Sequence, residues 1–128
     1  MEKDTMKILG INGSQRKEGN SYLLLKSALE GAKEEDESLI ETEILQLADC
    51  KIKPCKACYS GVEEVKYYGC AKKPHKCIIE DDDFEEVFQK MVEADGIIAC
   101  IPLYTPIPSK FTALIERLMM IVYSSSEV

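Results

Sequence analysis

Short apolar runs alternate with amphipathic stretches along the first third of the chain. Met6–Ile11 is an almost continuous apolar run, which is typical of a strand covered on both faces. From Leu25 to Ala32, apolar residues recur at the i, i+3, i+4, i+7 spacing of one helix face. Ile40–Leu47 then alternates between apolar and polar residues and predicts a second strand.

The second half of the chain repeats this alternation. Asp81–Asp83 precede an amphipathic stretch and predict a capped helix. Gly96–Ile101 predicts a third, buried strand, and Ser109 can cap a last helix after the loop Pro102–Pro108. Alternation of strands and helices predicts an α/β fold with a parallel sheet and helices on both faces. The apolar face of the helix after Asp83 comprises Phe84, Val87, Phe88, Met91 and Val92.

Two polar loops follow predicted strands and precede predicted helices. They are Gly13–Ser21 and Pro102–Pro108. In parallel sheets, ligands bind at the carboxyl ends of the strands, near the point where the strand order reverses. We therefore expect both loops to lie at the same edge of the sheet.

Composition and charge narrow the class of protein. The chain has 128 residues, of which 45% are hydrophobic and 30% charged, and its net charge is −7. This size predicts one domain, and the acidic balance argues against nucleic acid as a partner. No stretch approaches the roughly 20 apolar residues that span a bilayer. The N-terminus leads directly into a strand without a signal peptide, so we expect a cytoplasmic protein with no membrane partner.

The first loop does not match the common nucleotide-binding motifs. The Walker motif G-x-x-x-x-G-K-[ST] fails, because five residues separate Gly13 from Gly19 and Asn20 takes the place of the lysine. The dinucleotide motif G-x-G-x-x-G fails because Gly10 and Gly13 are three positions apart. Another kind of anion site remains open at this helix start, as does a simple polar turn.

Neutral and charged donors surround the start of the first helix. Ser14, Arg16, Asn20 and Ser21 would lie near unpaired backbone N–H groups and the positive end of the helix dipole. Together they suit a terminal phosphate monoester. The alternative is an ordinary turn in which Asn20 or Ser21 caps the helix.

Residues 49–79 form a cysteine-rich segment without sustained periodicity. The segment holds five of the six cysteines, two prolines and the only histidine. A loop of this length inside a compact domain is uncommon and predicts a function or disorder. In a cytoplasmic protein, cysteines suggest metal ligands, redox thiols or buried residues rather than disulfides. Four thiolates can hold zinc or a [4Fe–4S] cluster, and the absence of a metal also stays open for Cys55, Cys58, Cys70 and Cys77.

Four stretches in a fixed order resemble a known family. They are "GSQRKEGNSYLLLKSALEGA", "IKPCKACYS", "KCIIEDDDFEEVFQKMVEADGIIACIPLY" and "IPSKFTALIER". They are similar to the flavodoxin-like FMN proteins of the NADPH-dependent FMN reductase and iron–sulfur flavoprotein group. The resemblance implies a flavodoxin-like fold and FMN as cofactor. It also implies an FMN-dependent oxidoreductase or an electron-transfer flavoprotein, with NAD(P)H or a redox protein as partner.

The resemblance also implies site residues. The loop after the first strand would bind the FMN phosphate, and the loop after the third strand would line the isoalloxazine ring. Three cysteines match the compact cysteine run of the iron–sulfur flavoproteins, while the third ligand position falls on Gly61, which Cys70 would replace. No acid–base pair or nucleophile stands out as catalytic. The implied residues are Ser14, Arg16, Asn20 and Ser21 for the phosphate, Pro102, Leu103, Tyr104 and Thr105 for the ring, and Cys55, Cys58, Cys70 and Cys77 for a cluster.

The sequence departs from the family pattern in two places, at the flavin-ring loop and in the number of strands. Thr105-Pro106 replaces a glycine that usually lies near the reactive edge of the flavin, and proline offers no N–H donor. The pattern also predicts about three strands where the family fold has five. We therefore expect residues 1–128 to form one C-terminally incomplete domain with an insertion at about 49–79. Another chain would cover the third strand, as in a homo-oligomer.

A second hypothesis assigns no catalysis to the chain. In it, a shortened flavodoxin-like module has lost flavin, holds zinc or no metal, and associates with another chain. A truncated product without a function of its own is a third hypothesis. The complete phosphate loop favours the flavoprotein interpretation over both.

Overall fold

Three parallel strands form the sheet in the described part of the chain. They are β1 (Met6–Asn12), β2 (Ile40–Gln46) and β3 (Gly96–Cys100), in the order β2-β1-β3. The computed structural model describes residues 5–58, 70, 74–104 and 106–126, with side chains up to residue 122. Sheets of the flavodoxin-like class begin with this strand order. The predicted α/β fold with a parallel sheet is confirmed.

Helices follow the strands as the periodicity predicts. They are α1 (Asn20–Glu34), α2 (Phe84–Glu93) and α3 (Ser109–Ser126), and a 3-10 turn covers Leu47–Asp49. None of the helices in the described ranges is long and apolar enough to cross a membrane.

The predicted cap of α1 is wrong. Gly19, not Asn20 or Ser21, is the N-cap residue, and no side chain caps the helix. At α2 the N-cap residue is Asp83, which also makes no side-chain cap bond. The neighbouring Asp82 accepts a hydrogen bond from the N–H of Phe84 at 3.2 Å instead.

The strand register brings three chain segments together at one edge. Asn12, the last residue of β1, pairs with Gln46 of β2 and with Cys100 of β3. All three strands therefore end at the same level, and the segments that follow them leave the sheet side by side.

Alternate residues of β1 face two different layers. Leu9 and Ile11 are fully buried in the cluster formed with α2 and α3. Gly10 faces α1, where a Cβ atom would lie 2.6 Å from Cδ1 of Leu29. Strand β1 is therefore covered on both faces. The main cluster comprises Leu9, Ile11, Leu47, Ile52, Cys70, Phe84, Val87, Ala113, Leu114 and Ile121.

Two predictions of burial are wrong. The third strand was expected to be buried, but the side chain of Ile97 is 43% exposed and Ala99 is also exposed. Ile97 and Ala99 pair with Leu9 and Ile11 of β1 and therefore lie on the same face of the sheet, but that face is less covered at β3 than at β1. Val92, expected on the apolar face of α2, is 61% exposed because it lies at the margin of that face near the helix end.

Candidate functional site

The two predicted ligand loops lie side by side at the carboxyl edge of the sheet. The N–H of Gly13 donates a hydrogen bond to the carbonyl of Cys100 at 3.0 Å. A Cβ atom on Gly13 would lie 2.4 Å from Cδ1 of Ile101. The expectation of a shared edge is confirmed, and any larger residue at position 13 would require the side chain of Ile101 to move.

Two side-chain amides beneath the first loop hold it in shape. Asn12 is fully buried, and its Nδ2 donates to Oε1 of Gln46 at 2.7 Å. Oδ1 of Asn12 accepts the N–H of Ser14 at 3.2 Å, and Nε2 of Gln46 donates to the carbonyl of Lys17 at 3.0 Å. Sequence reasoning missed both amides. The available signal was a polar residue ending each of two paired strands.

The residues predicted for a phosphate lie around the start of α1. Oγ of Ser14 accepts the N–H of Arg16 at 3.0 Å, which closes a tight turn. The Ser14 side chain is buried, Ser21 is half-buried, and Arg16 and Asn20 are exposed. The first turn of α1 contains no acidic residue and has no side-chain cap. The positive end of the helix dipole is therefore not neutralised by the protein, which suits an anion.

The residues predicted for a flavin ring form an exposed apolar surface. The side chain of Leu103 is 79% exposed and that of Tyr104 is 59% exposed, while Pro102 is half-buried. Thr105 lies outside the described residues, as does Gly61. The arrangement offers a planar apolar ligand a surface next to the first loop. The assignment of these residues to a flavin stays a prediction.

The four cysteines predicted as metal ligands line one pocket. Cys70 is buried, and Cys55, Cys58 and Cys77 are half-buried. The pocket lies against α3, so the described cysteines of this segment lie beside that helix. Its remaining walls are formed by Lys56, Ile78, Ile79, Arg117, Met120 and Ile121.

The backbone around the C-x-x-C pair is held in a specific turn. Ala57 has a positive φ of 52°, and its N–H donates to Sγ of Cys55 at 3.3 Å. The N–H of Cys55 donates to Oε1 of Glu116 on α3 at 2.7 Å. These bonds fix Cys55 to the helix and place an N–H donor on its sulfur.

The sulfur atoms influence one another electrostatically. Burial raises the pKa of the Cys58 thiol, and the neighbouring sulfurs of Cys70, Cys55 and Cys77 raise it further. Thiolates crowded in this way repel one another unless a cationic centre neutralises them. Within the described ranges, however, no three His, Cys, Asp or Glu side chains are placed to share a single metal ion.

A buried arginine on α3 forms part of this pocket. The side chain of Arg117 is only 1% exposed. Its Nη2 donates to Sγ of Cys77 at 3.3 Å and to the carbonyl of Ile79 at 3.2 Å. Its Nη1 donates to the carbonyl of Lys53 at 3.2 Å, and its guanidinium lies 4.0 Å from the ring centre of Phe84. Sequence reasoning missed Arg117, for which the available signal was a cation in the middle of the largely apolar helix α3.

Asp82 is the counterion of this arginine. Its carboxylate accepts a hydrogen bond from Nη1 of Arg117 and another from the N–H of Lys53 at 2.8 Å. Burial alone would raise the pKa of Asp82, but the bonds from Arg117 and from backbone N–H groups outweigh it and lower the pKa. Burial likewise opposes the charge of Arg117, while Asp82 and Cys77 hold its pKa above the usual value. These contacts therefore favour the charged form of both groups.

His75 lies next to the cysteine pocket. It has a positive φ of 60°, and its Nδ1 lies 2.7 Å from the carbonyl of Cys70. Because a carbonyl accepts hydrogen bonds, Nδ1 carries the proton in this contact. Its Nε2 is buried and has no hydrogen-bond partner among the described residues.

The other two cysteines lie elsewhere. Cys50 lines a separate pocket between β2 and α2, and its Sγ donates to the carbonyl of Gln46 at 3.5 Å. Burial raises the pKa of the Cys50 thiol, and the carboxylates of Asp83 and Glu86 raise it further. Cys100 ends β3. The structure thus separates the four predicted ligands from the remaining two.

Comparison with protein families gives a match over nearly the whole chain. Residues 6–127 match the model of the family described as NADPH-dependent FMN reductase. No solved structure matches the chain.

Several similar proteins are iron–sulfur flavoproteins of archaea. One from Methanocaldococcus jannaschii is 43% identical over 99 residues, which cover 77% of this chain and 44% of the relative. One from Methanosarcina thermophila is 37% identical over 117 residues, 91% of this chain and 54% of the relative. One from Archaeoglobus fulgidus is 36% identical over 99 residues, which cover 77% of this chain and 41% of the relative. The chain thus spans about half the length of the curated relatives that it matches.

Proposed function

Because this chain belongs to the NADPH-dependent FMN reductase family, we propose that it is an FMN-binding oxidoreductase or electron-transfer flavoprotein with a [4Fe–4S] cluster. The family resemblance read from the motifs is confirmed by this membership. The observation that carries the proposal is the convergence of four cysteines on one pocket, in a chain whose relatives are named iron–sulfur flavoproteins.

The residues of the two loops fit FMN. The uncapped start of α1 and the donors Ser14, Arg16, Asn20 and Ser21 suit its phosphate. The exposed surface of Leu103 and Tyr104 suits its apolar ring. Bound FMN would supply hydride and electron transfer, while the protein fixes its position.

The residues of the pocket fit an iron–sulfur cluster. Cysteine thiolates are the usual ligands of such clusters, and sulfur atoms of two of these cysteines already accept N–H donors, from Ala57 and from Arg117. We propose a cluster rather than zinc because several similar proteins are named iron–sulfur flavoproteins.

NADPH is the electron donor that we propose to test first, because the family description contains it. We also propose that the protein is a homo-oligomer. Among the described residues β3 has a neighbouring strand on one side only, and its residue Ile97 is 43% exposed. Both features support a contact with another copy, since an unpaired apolar strand favours association. Size-exclusion chromatography with light scattering tests this part: a monomer at micromolar concentration contradicts it.

The same open strand supports a second candidate function. In this alternative the chain is a non-catalytic module, with zinc or without metal, that binds another polypeptide along β3. It differs from the flavoprotein proposal in one measurable property, since it takes up neither FMN nor iron.

The deciding experiment is anaerobic purification followed by absorption spectroscopy and by assays of iron, acid-labile sulfide and zinc. We expect flavin absorption after addition of FMN, and broad iron–sulfur absorption with iron and sulfide in equal amounts. A colourless protein that takes up neither FMN nor iron would overturn the proposal and support the module. Zinc in place of iron would contradict the proposed cluster. The absorption spectrum after addition of FMN would still test flavin binding separately.

A matched pair of cysteine variants assigns the cluster to its pocket. Cys55→Ser removes a thiol from the four-cysteine pocket and should abolish the iron–sulfur absorption. Cys50→Ser removes a thiol from the separate pocket beside α2 and should leave that absorption unchanged. Equal loss in both variants would contradict the assigned ligand set.

A further inference from the structure

We infer that Arg117 is a positioning residue that raises the reduction potential of a cluster at the four-cysteine pocket, through its hydrogen bond to Cys77 and its buried positive charge. The inference rests on the proposed function, because it requires the cluster to form. It assigns a role to a residue of α3 that is itself no metal ligand.

The contact with Cys77 is the first observation. Nη2 of Arg117 donates to Sγ of Cys77 at 3.3 Å. When a thiolate ligand accepts a hydrogen bond, part of its negative charge is drawn away from the metal centre. Hydrogen bonds to sulfur and net charge are among the factors that set cluster potentials. A donor at this position therefore favours the reduced cluster, which carries one more negative charge.

The burial of the guanidinium is the second observation. The side chain of Arg117 is 1% exposed, and the carbonyls of Lys53 and Ile79 and the ring of Phe84 surround it. Little water is near to screen its charge, so the charge acts more strongly on its surroundings than one at the surface.

One N–H donor of the Arg117 guanidinium has no partner among the described residues. This donor is Nε, which is buried. Buried N–H groups are nearly always paired in proteins. An unpaired donor on a residue that lines the cysteine pocket is what a sulfur-rich acceptor in that pocket would satisfy.

Asp82 should affect the reduction potential of the cluster in the opposite direction to Arg117. Its carboxylate pairs with Nη1 of Arg117 and so offsets part of the positive charge. Asp82→Asn removes this negative charge while Arg117 keeps its bonds to Cys77, Ile79 and Lys53. We expect the potential of the cluster to rise in this variant.

The test measures the cluster potential by anaerobic redox titration, followed by electron paramagnetic resonance. Asp82→Asn is compared with the double variant Asp82→Asn/Arg117→Gln, which avoids an unpaired buried carboxylate. At a fixed applied potential, we expect the ratio of reduced to oxidised cluster to be at least about tenfold lower in the double variant, which is about 59 mV for one electron. A residue that acted only through packing would leave this ratio unchanged.

Lys56→Gln is the matched control. Lys56 lines the same pocket but is exposed, so water and salt screen its charge. This variant should shift the ratio much less than the loss of Arg117. Equal shifts for the two residues, or an unchanged potential in Asp82→Asn, would overturn the inference.

Should the double variant fail to fold, the sign of the potential shift in Asp82→Asn alone decides. Failure of the wild-type protein to hold iron would count against the proposed function, and is read from the iron assay before any titration.

Discussion

The side-chain amide of Asn12 donates a hydrogen bond to Oε1 of Gln46 across 2.7 Å and so joins the end of β1 to the end of β2. Asn12 also accepts the N–H of Ser14, and Gln46 donates to the carbonyl of Lys17. The two amides therefore support the loop at both of its sides. The shape of the proposed phosphate site depends on side chains below it as well as on those that would touch the ligand.

Asn12→Ala should lower both stability and FMN affinity. The variant leaves the buried N–H of Ser14 without its acceptor, which costs about 1–3 kcal/mol in the free energy of unfolding. Urea denaturation measures the first effect, and quenching of FMN fluorescence measures the second. Gln89→Ala removes an amide from an exposed pair with Glu85 and should change neither by much. An Asn12→Ala variant that behaves like this control would contradict the supporting role.

The double variant Asn20→Ala/Ser21→Ala should bind FMN at least about tenfold more weakly, since a hydrogen bond to a charged group contributes roughly 1.5–3 kcal/mol. Riboflavin has no phosphate, so its affinity should stay the same. Titration of both ligands, followed by flavin fluorescence, measures the difference. Ser27→Ala, which removes an exposed hydroxyl farther along α1, is the control. Equal losses for FMN and riboflavin would place the phosphate elsewhere.

Phe84→Ala should destabilise the protein by about 3–5 kcal/mol. The ring is fully buried, stacks on Phe88 with 5.8 Å between ring centres, and supports the guanidinium of Arg117. Val92→Ala, on the exposed margin of the same helix, should change the free energy of unfolding by only about 0.5 kcal/mol. Chemical denaturation of both variants provides the comparison. Similar losses would mean that the packing of α2 has been assigned incorrectly.

Acid should destabilise the protein partly through Asp82. The pKa of this carboxyl is lower in the folded protein than in the unfolded chain, where it is about 3.9. Its contribution is therefore complete above about pH 3.9 and is lost as the pH falls through the lower, folded pKa.

Thermal denaturation of the wild type and of Asp82→Asn between about pH 2 and 6 checks this sign. The variant lacks the titrating group, so its stability should fall less steeply at the acidic end. Glu30→Gln, on the exposed side of α1, removes one carboxylate and should keep the wild-type slope. An equally steep fall in Asp82→Asn would show that other carboxyls account for the acid sensitivity.

Hydrophobic periodicity predicted most of the fold, because strands and helices bury apolar residues with different spacings. Met6–Ile11 and Ile40–Leu47 differ from β1 and β2 by one residue each. Periodicity did not predict the exposure of Ile97 and Val92. An apolar pattern shows which residues can be buried, whereas burial itself depends on a neighbouring element that covers them.

The sequence predicted some residues of the candidate site and missed others, for a similar reason. The four cysteines could be grouped from the sequence because thiols near one another have few roles, and they line one pocket. Asn12, Gln46 and Arg117 were not predicted from the sequence. Polar side chains at strand ends and cations on helices are usually solvated, and only the folded chain shows which residues these three side chains bind.

The hydrogen bonds of Arg117 also have a consequence for the order of folding. They join α3 to positions 35 to 64 residues earlier in the chain, from Asp82 back to Lys53. Closing loops of this length costs chain entropy before native contacts can compensate for it, whereas the bonds within a helix close short loops. We therefore expect α3 to form its own turns before its guanidinium reaches Cys77 and Asp82. The geometry of these contacts is set by tertiary packing and by neither chain segment alone.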